Sequence, residues 1–201
     1  MSDPSRLLLV RHGQSTWNAD GRWQGTEDPP LSTLGVRQAR HAAGRLGSFD
    51  AVVASPLERA FVTATIIAEE LGIGPVQTDD DLRERHAGGY QGLTRPEIEH
   101  RFPGYLVEGL LPPGWEDDDH VLERSAGALA RVALAVGPGG TALVVTHGGV
   151  IGTLERALGA RREGRLPNLG GRWFDVGPGV LAAGDPVLLL DEDEVTVPNQ
   201  L

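Results

Sequence analysis

Short apolar runs alternate along this chain with longer segments of helical period. Leu7–Val10, Ala51–Ala54 and Ala142–Thr146 are unbroken apolar runs, the pattern of strands buried on both faces. Ser32 can cap a helix running to about Leu46. Ser55-Pro56-Leu57-Glu58 combines an N-cap serine, a proline at the first helical position and a glutamate three residues after the cap. It predicts a helix that runs to Leu71 and stops at Gly72. Thr94-Arg95-Pro96-Glu97 repeats that start for a shorter helix. The stretch Pro103–Asp119 is rich in Gly, Pro and acids and reads as too polar for core. A helix from about Val121 to Val136 leads through Gly137-Pro138-Gly139-Gly140 into the strand that ends before His147. Arg172–Val176 and Val180–Ala182 flank Gly177-Pro178-Gly179 and read as a hairpin.

Strand and helix in alternation predict an α/β fold, a mainly parallel mixed sheet with helices on both faces. In such sheets ligands gather at the carboxyl ends of the strands. Arg11 and His12 follow the first strand, Arg59 lies in the helix turn after the second, and His147 ends a third. Residues far apart in sequence are thus brought to one edge. With 201 residues, the expectation is a single domain over 1–201, with a segment at about 95–120 capping the pocket.

Composition narrows the chemistry. The net charge is −10, which disfavours nucleic acid and anionic membrane as partners. No apolar run reaches the roughly 18 residues of a membrane span, and the start of the chain lacks a secretory pattern, so the cytoplasm is the expected location. There is no cysteine, hence no disulfide, thiolate catalysis or Cys-ligated zinc. All 18 basic residues are Arg, which removes the Walker-type phosphate loop, Schiff-base chemistry and any Lys base.

Two histidines could hold a metal, but Arg11 and Arg59 beside them make a cationic pocket, and phosphate suits it better. Guanidinium forks and a helix N-terminus match phosphoryl oxygens. A neutral imidazole can attack phosphorus, a second can stabilise the phosphoryl oxygens, and a carboxyl group can protonate the leaving alkoxide and then activate water.

Four motifs carry a resemblance: Arg11-His12-Gly13-Gln14-Ser15 with Trp17-Asn18, Ser55-Pro56-Leu57-Glu58-Arg59-Ala60, Leu82-Arg83-Glu84-Arg85 with Tyr90-Gln91-Gly92, and Thr146-His147-Gly148-Gly149. In that order they resemble the histidine phosphatase superfamily, which includes phosphoglycerate mutases, over about residues 6 to 176. The resemblance implies a three-layer α/β/α sandwich and a metal-independent, cofactor-free phosphatase of a small-molecule phosphomonoester. His12 would be the phosphorylated nucleophile, Glu84 the proton donor, and Arg11, Arg59 and His147 the phosphoryl-binding groups. Asn18 and Gly148 match further substrate-binding positions. Gln14 and the segment Gly114-Trp115-Glu116-Asp117 depart from the family pattern. The sequence also admits a homodimer.

Two rivals stand beside this reading: a phosphoglycerate mutase-type transferase and a non-catalytic sensor of phosphorylated ligands. A mutase needs cations for a second anion. Gly104–Asp119 has none and carries five acids, with Arg95 and Arg101 just upstream. The intact His12, Arg59, Glu84 and His147 set weighs against a sensor. Val187–Leu190 followed by Asp191-Glu192-Asp193-Glu194-Val195 imitates the first motif of magnesium-dependent aspartyl phosphatases. Too little chain follows to complete that motif, so it reads as a terminal strand with a solvated acidic end.

Overall fold

The computed structural model describes residues 3–160 and 162–198. A six-stranded sheet has the order β3-β2-β4-β1-β5-β6, formed by β1 (Ser5–Arg11), β2 (Ala51–Ala54), β3 (Gln77–Thr78), β4 (Thr141–Thr146), β5 (Gly170–Gly177) and β6 (Val180–Leu188). The first four are parallel, and β5 and β6 are antiparallel additions. Val187 and Leu188 therefore do not open a separate terminal strand. They continue the second arm of the hairpin, whose register is set by pairing with Gly170 and Gly171.

Side chains alternate across β1, so its apolar run serves two cores. Leu7 and Leu9 face helices α6 (Asp118–Val136) and α7 (Gly148–Ala157), packing near Leu129, Ile151 and Leu154. Leu8 and Val10 face α2 (Thr33–Ala43) and α3 (Glu58–Leu71), near Ala42, Ala64 and Ile67. The chain leaving β1 thus passes to one face of the sheet, whereas the helix leaving its neighbour β4 packs on the other. That divergence opens a crevice at the carboxyl ends of β1 and β4.

The helix boundaries carry two corrections. Ser32 caps α2 as expected, accepting the Gly35 N–H at 3.0 Å, and Gly72 ends α3 in the left-handed conformation. Ser55, however, does not cap α3. The N-cap is Leu57, and the Glu58 N–H is satisfied by Asp28 Oδ1 at 2.7 Å, from a loop remote in sequence. The second correction is at α6, which begins at Asp118 because Asp117 accepts the His120 N–H at 2.8 Å.

Beyond the sheet edge lie a short α1 (Thr16–Ala19), then α4 (Arg95–Arg101) and α5 (Tyr105–Glu108). A third apolar cluster gathers Trp23, Ala87, Tyr90 and Ile98, with Tyr105, Leu106 and Trp115 packed on it. Part of the stretch expected to be too polar for core therefore contributes to this satellite core. Its aromatic residues are spaced among the acids, so the segment buries one side and leaves Glu108, Asp117, Asp118 and Asp119 exposed, while Glu116 turns inward to Arg124 at 2.8 Å.

Candidate active site

Arg11, His12, Arg59, Glu84 and Arg85 line a narrow cleft of about 30 Å³ at the β1/β4 crevice, and His147 lies against it. The His12 and His147 ring centroids are 5.2 Å apart, edge to face. Both rings are buried.

The proton on His12 is fixed by its neighbour. Nδ1 lies 2.7 Å from the Gly13 carbonyl, which can only accept, so Nδ1 carries the hydrogen and Nε2 the lone pair. Nε2 in turn receives the Arg59 Nε–H at 3.3 Å. Burial, then Arg59 and Arg11, hold the imidazole well below the usual histidine range, so it is neutral near pH 7. The Asn168 amide donates to the His12 carbonyl at 2.9 Å and steadies that turn from the far side.

Arg59 comes from the first turn of α3 and is spread over three acceptors: His12, the Glu27 carbonyl at 2.7 Å and the Gly25 carbonyl at 2.8 Å. Arg11 donates Nη1 to the Leu166 carbonyl at 2.7 Å, while its buried Nε has no hydrogen-bond partner among the described residues. Burial lowers both guanidinium pKa values to about 10, which leaves them cationic at neutral pH.

His147 is the N-cap residue of α7, and its Nε2 lies 2.8 Å from Ser55 Oγ. Its Nδ1 is buried and has no hydrogen-bond partner among the described residues. Burial, with Arg59, His12 and Arg11, again pushes the pKa well below the usual range. Ser55 Oγ also accepts the Leu57 N–H at 3.3 Å, in the turn that precedes α3.

Glu84 is held at both oxygens: Oε1 accepts the Arg85 N–H at 2.8 Å and Oε2 the Gly149 N–H at 3.0 Å. The glycines after His147 permit this approach. A Cβ at Gly149 would lie 2.2 Å from Glu84 Oε1, and one at Gly148 would lie 3.3 Å from the Arg11 guanidinium.

Five of the residues singled out by sequence thus converge: Arg11, His12, Arg59, Glu84 and His147. Asn18 is buried but does not line the cleft. Its Oδ1 accepts the Ser15 N–H at 3.2 Å and the Asn168 amide at 3.3 Å. Gly148 lines a larger adjoining chamber of about 630 Å³, which shares Arg11, Arg85 and Trp115 with the cleft. Sequence reasoning missed Ser55 as a site residue, together with Gln24, Arg85 and Asn168. Ser55 has the local form of a helix cap, Arg85 stands in the Leu82–Arg85 motif with no role of its own, and Gln24 and Asn168 carry no local signal. Arg95 and Arg101, considered as cations for a second anion, do not line the chamber; Arg85, Arg156, Arg162 and Arg165 do.

Two buried guanidiniums around an unprotonated imidazole nitrogen, at the switch point of a doubly wound sheet, match the charge and shape of a phosphoryl group. The model of the histidine phosphatase superfamily (branch 1) matches residues 7–171. An Arabidopsis thaliana phosphoglycerate mutase-like protein 4 is 40% identical over 172 residues, covering 80% of this chain and 74% of its own length. A metal-independent phosphoserine phosphatase of the same plant is 38% identical over 178 residues, covering 83% and 74%. A mycobacterial glucosyl-3-phosphoglycerate phosphatase, solved in complex with VO3, superposes with a TM-score of 0.78 at 32% identity, covering 89% of this chain and 96% of its own. The chain belongs to the histidine phosphatase superfamily and is an enzyme of its phosphatase type.

Proposed function

We propose that the protein is a metal-independent phosphomonoester hydrolase that works through a phosphohistidine on His12. The observation that carries the reading is the tautomer. With the Nδ1 hydrogen committed to the Gly13 carbonyl, Nε2 offers its lone pair inside the cleft. In the first step Nε2 forms a bond to phosphorus as the bond from phosphorus to the leaving alkoxide breaks, and Glu84 gives that alkoxide a proton. In the second, the Glu84 carboxylate takes a proton from water, the water oxygen bonds to phosphorus, and the N–P bond breaks to restore His12.

Arg11 and Arg59 supply the positive charge that a metal supplies elsewhere. The weak Arg59 to His12 bond passes to a phosphoryl oxygen when substrate enters. His147 serves through its Nδ1, the unpartnered atom of the ring, while Ser55 holds Nε2. Each such preorganised donor is worth about 10²–10³ in rate. Asn18 supports the His12 turn through Asn168, and Gly148 leaves room for Arg11 beside the chamber. Trp115 and Leu111, within the segment 95–120, form part of the wall over the leaving group.

The test is chemical trapping. Brief exposure to a phosphomonoester and a quench should leave acid-labile, alkali-stable phosphate on the protein, absent from His12→Ala. Label that persists in His12→Ala would refute the assignment.

A further inference from the structure

Resting on the hydrolase reading above, we infer that the chamber beside the cleft recognises a carboxylate on the leaving group, with Arg162 and Arg165 as its binding residues. The chamber shares Arg11, Arg85 and Trp115 with the cleft, so the part of a substrate beyond its phosphoryl group extends into it.

The charge of its wall opposes that of the whole molecule. Five arginines line it against two aspartates, in a chain of net charge −10. Most of these cations are already committed. Arg85 and Arg156 both pair with Asp118, at 2.6 and 2.9 Å, and Arg11 serves the phosphoryl position.

Arg162 is different. Its Nη2 is 2.5 Å from Glu155 Oε2, but Nε and Nη1 have no hydrogen-bond partner among the described residues and are shielded from water. Glu155 cannot neutralise it fully, because its other oxygen already binds Arg172 at 2.7 Å. The Glu155 carboxylate is thus divided between Arg162 and Arg172. A cationic N–H group kept from water without an acceptor is costly, so a carboxylate in the chamber favours a turn of the Arg162 side chain that brings its guanidinium fork to the ligand. Arg165, exposed on the same loop, has no ion-pair partner among the described residues and adds a second cation at the chamber wall. Leu111, Leu166 and Trp115 provide apolar surface for a carbon skeleton between the two anionic groups. Asp117 and Asp118, which also line the chamber, disfavour a second phosphate dianion and match a monoanion better.

Substrate pairs that differ at the carboxylate test this: O-phosphoserine against O-phosphoethanolamine, and 3-phosphoglycerate against glycerol 3-phosphate. The expected result is at least a tenfold higher kcat/KM for the carboxylated member of one pair. That ratio should fall several-fold in Arg162→Gln, chiefly through KM, and also in Arg165→Gln. The Arg162 variant leaves Glu155 paired with Arg172, and the Arg165 site is exposed, so the second variant serves if the first is poorly folded. Equal rates within both pairs in the wild-type enzyme would overturn the inference, as would a preference that both variants retain. Hydrolysis of p-nitrophenyl phosphate but of no carboxylated member would overturn it too, leaving the hydrolase reading intact. Failure of every phosphomonoester, with no phosphohistidine formed, would instead overturn both.

Discussion

Glu84 Oε2 accepts the backbone N–H of Gly149 at 3.0 Å, across sixty-five positions of sequence, and the absence of a side chain at 149 is what lets it come so near. Gly149→Ala should therefore fold, because the carboxylate end of Glu84 is flexible enough to yield. It should displace the acid from the leaving group. The expected loss is tenfold or more in kcat on alkyl phosphates with a smaller loss on aryl phosphates. An unchanged rate on alkyl phosphates would show that the Gly149 contact does not set the position of the acid.

Glu84→Gln removes proton transfer and keeps the cationic cradle. The expected loss is about 10²–10⁴ on alkyl phosphates. An activated aryl phosphate, whose leaving group needs little protonation, should lose much less in the phosphorylation step, read as the burst of phenolate. Equal loss in that burst on both substrate types would mark Glu84 as a structural residue.

Acid should weaken the fold through His12 and His147. Both pKa values are depressed by burial, so below about pH 6.5 the unfolded chain binds protons that the folded chain refuses. Stability then falls as pH drops from about 6.5 toward the folded values, by about 1.4 kcal/mol per pH unit per histidine, and above 6.5 these groups add no pH dependence. Urea unfolding midpoints measured at pH about 7 and about 5.5 check this. His147→Asn should show the shallower decline, and an equal slope in variant and wild type would contradict the assignment.

Chelation should not change the rate. Among the described residues, the group of side chains able to hold an ion is His41, Asp191 and Glu194. It shares no residue with the cleft or the chamber, and Arg45 already pairs with Asp191. Turnover measured after exhaustive treatment with EDTA is the check. Loss of activity that magnesium restores would favour a metal-assisted route.

The sequence by itself determined the sheet and the edge at which the chemistry gathers. Unbroken apolar runs such as Leu7–Val10 can be buried only between two helical layers, so the residues that interrupt them, Arg11-His12 and His147, must emerge at strand ends. Phosphate chemistry was legible from the same positions, because buried-edge guanidiniums beside imidazoles suit few other ligands. Glu84 was legible only through family resemblance, since a glutamate in the charged run Asp79–Arg85 looks like any solvated acid. Tertiary structure alone decided which local signals were spent elsewhere. Ser55 has the form of a helix cap, yet its hydroxyl goes to His147 and Asp28 takes over at α3. It also decided the charge of the chamber. The acidic stretch before α6 suggested a pocket hostile to a second anion, but the loop after α7 brings Arg162 and Arg165 to the same chamber. Hydrophobic periodicity constrains where a backbone segment lies, whereas a polar side chain's partner depends on which segments meet in space, and no window of sequence contains that.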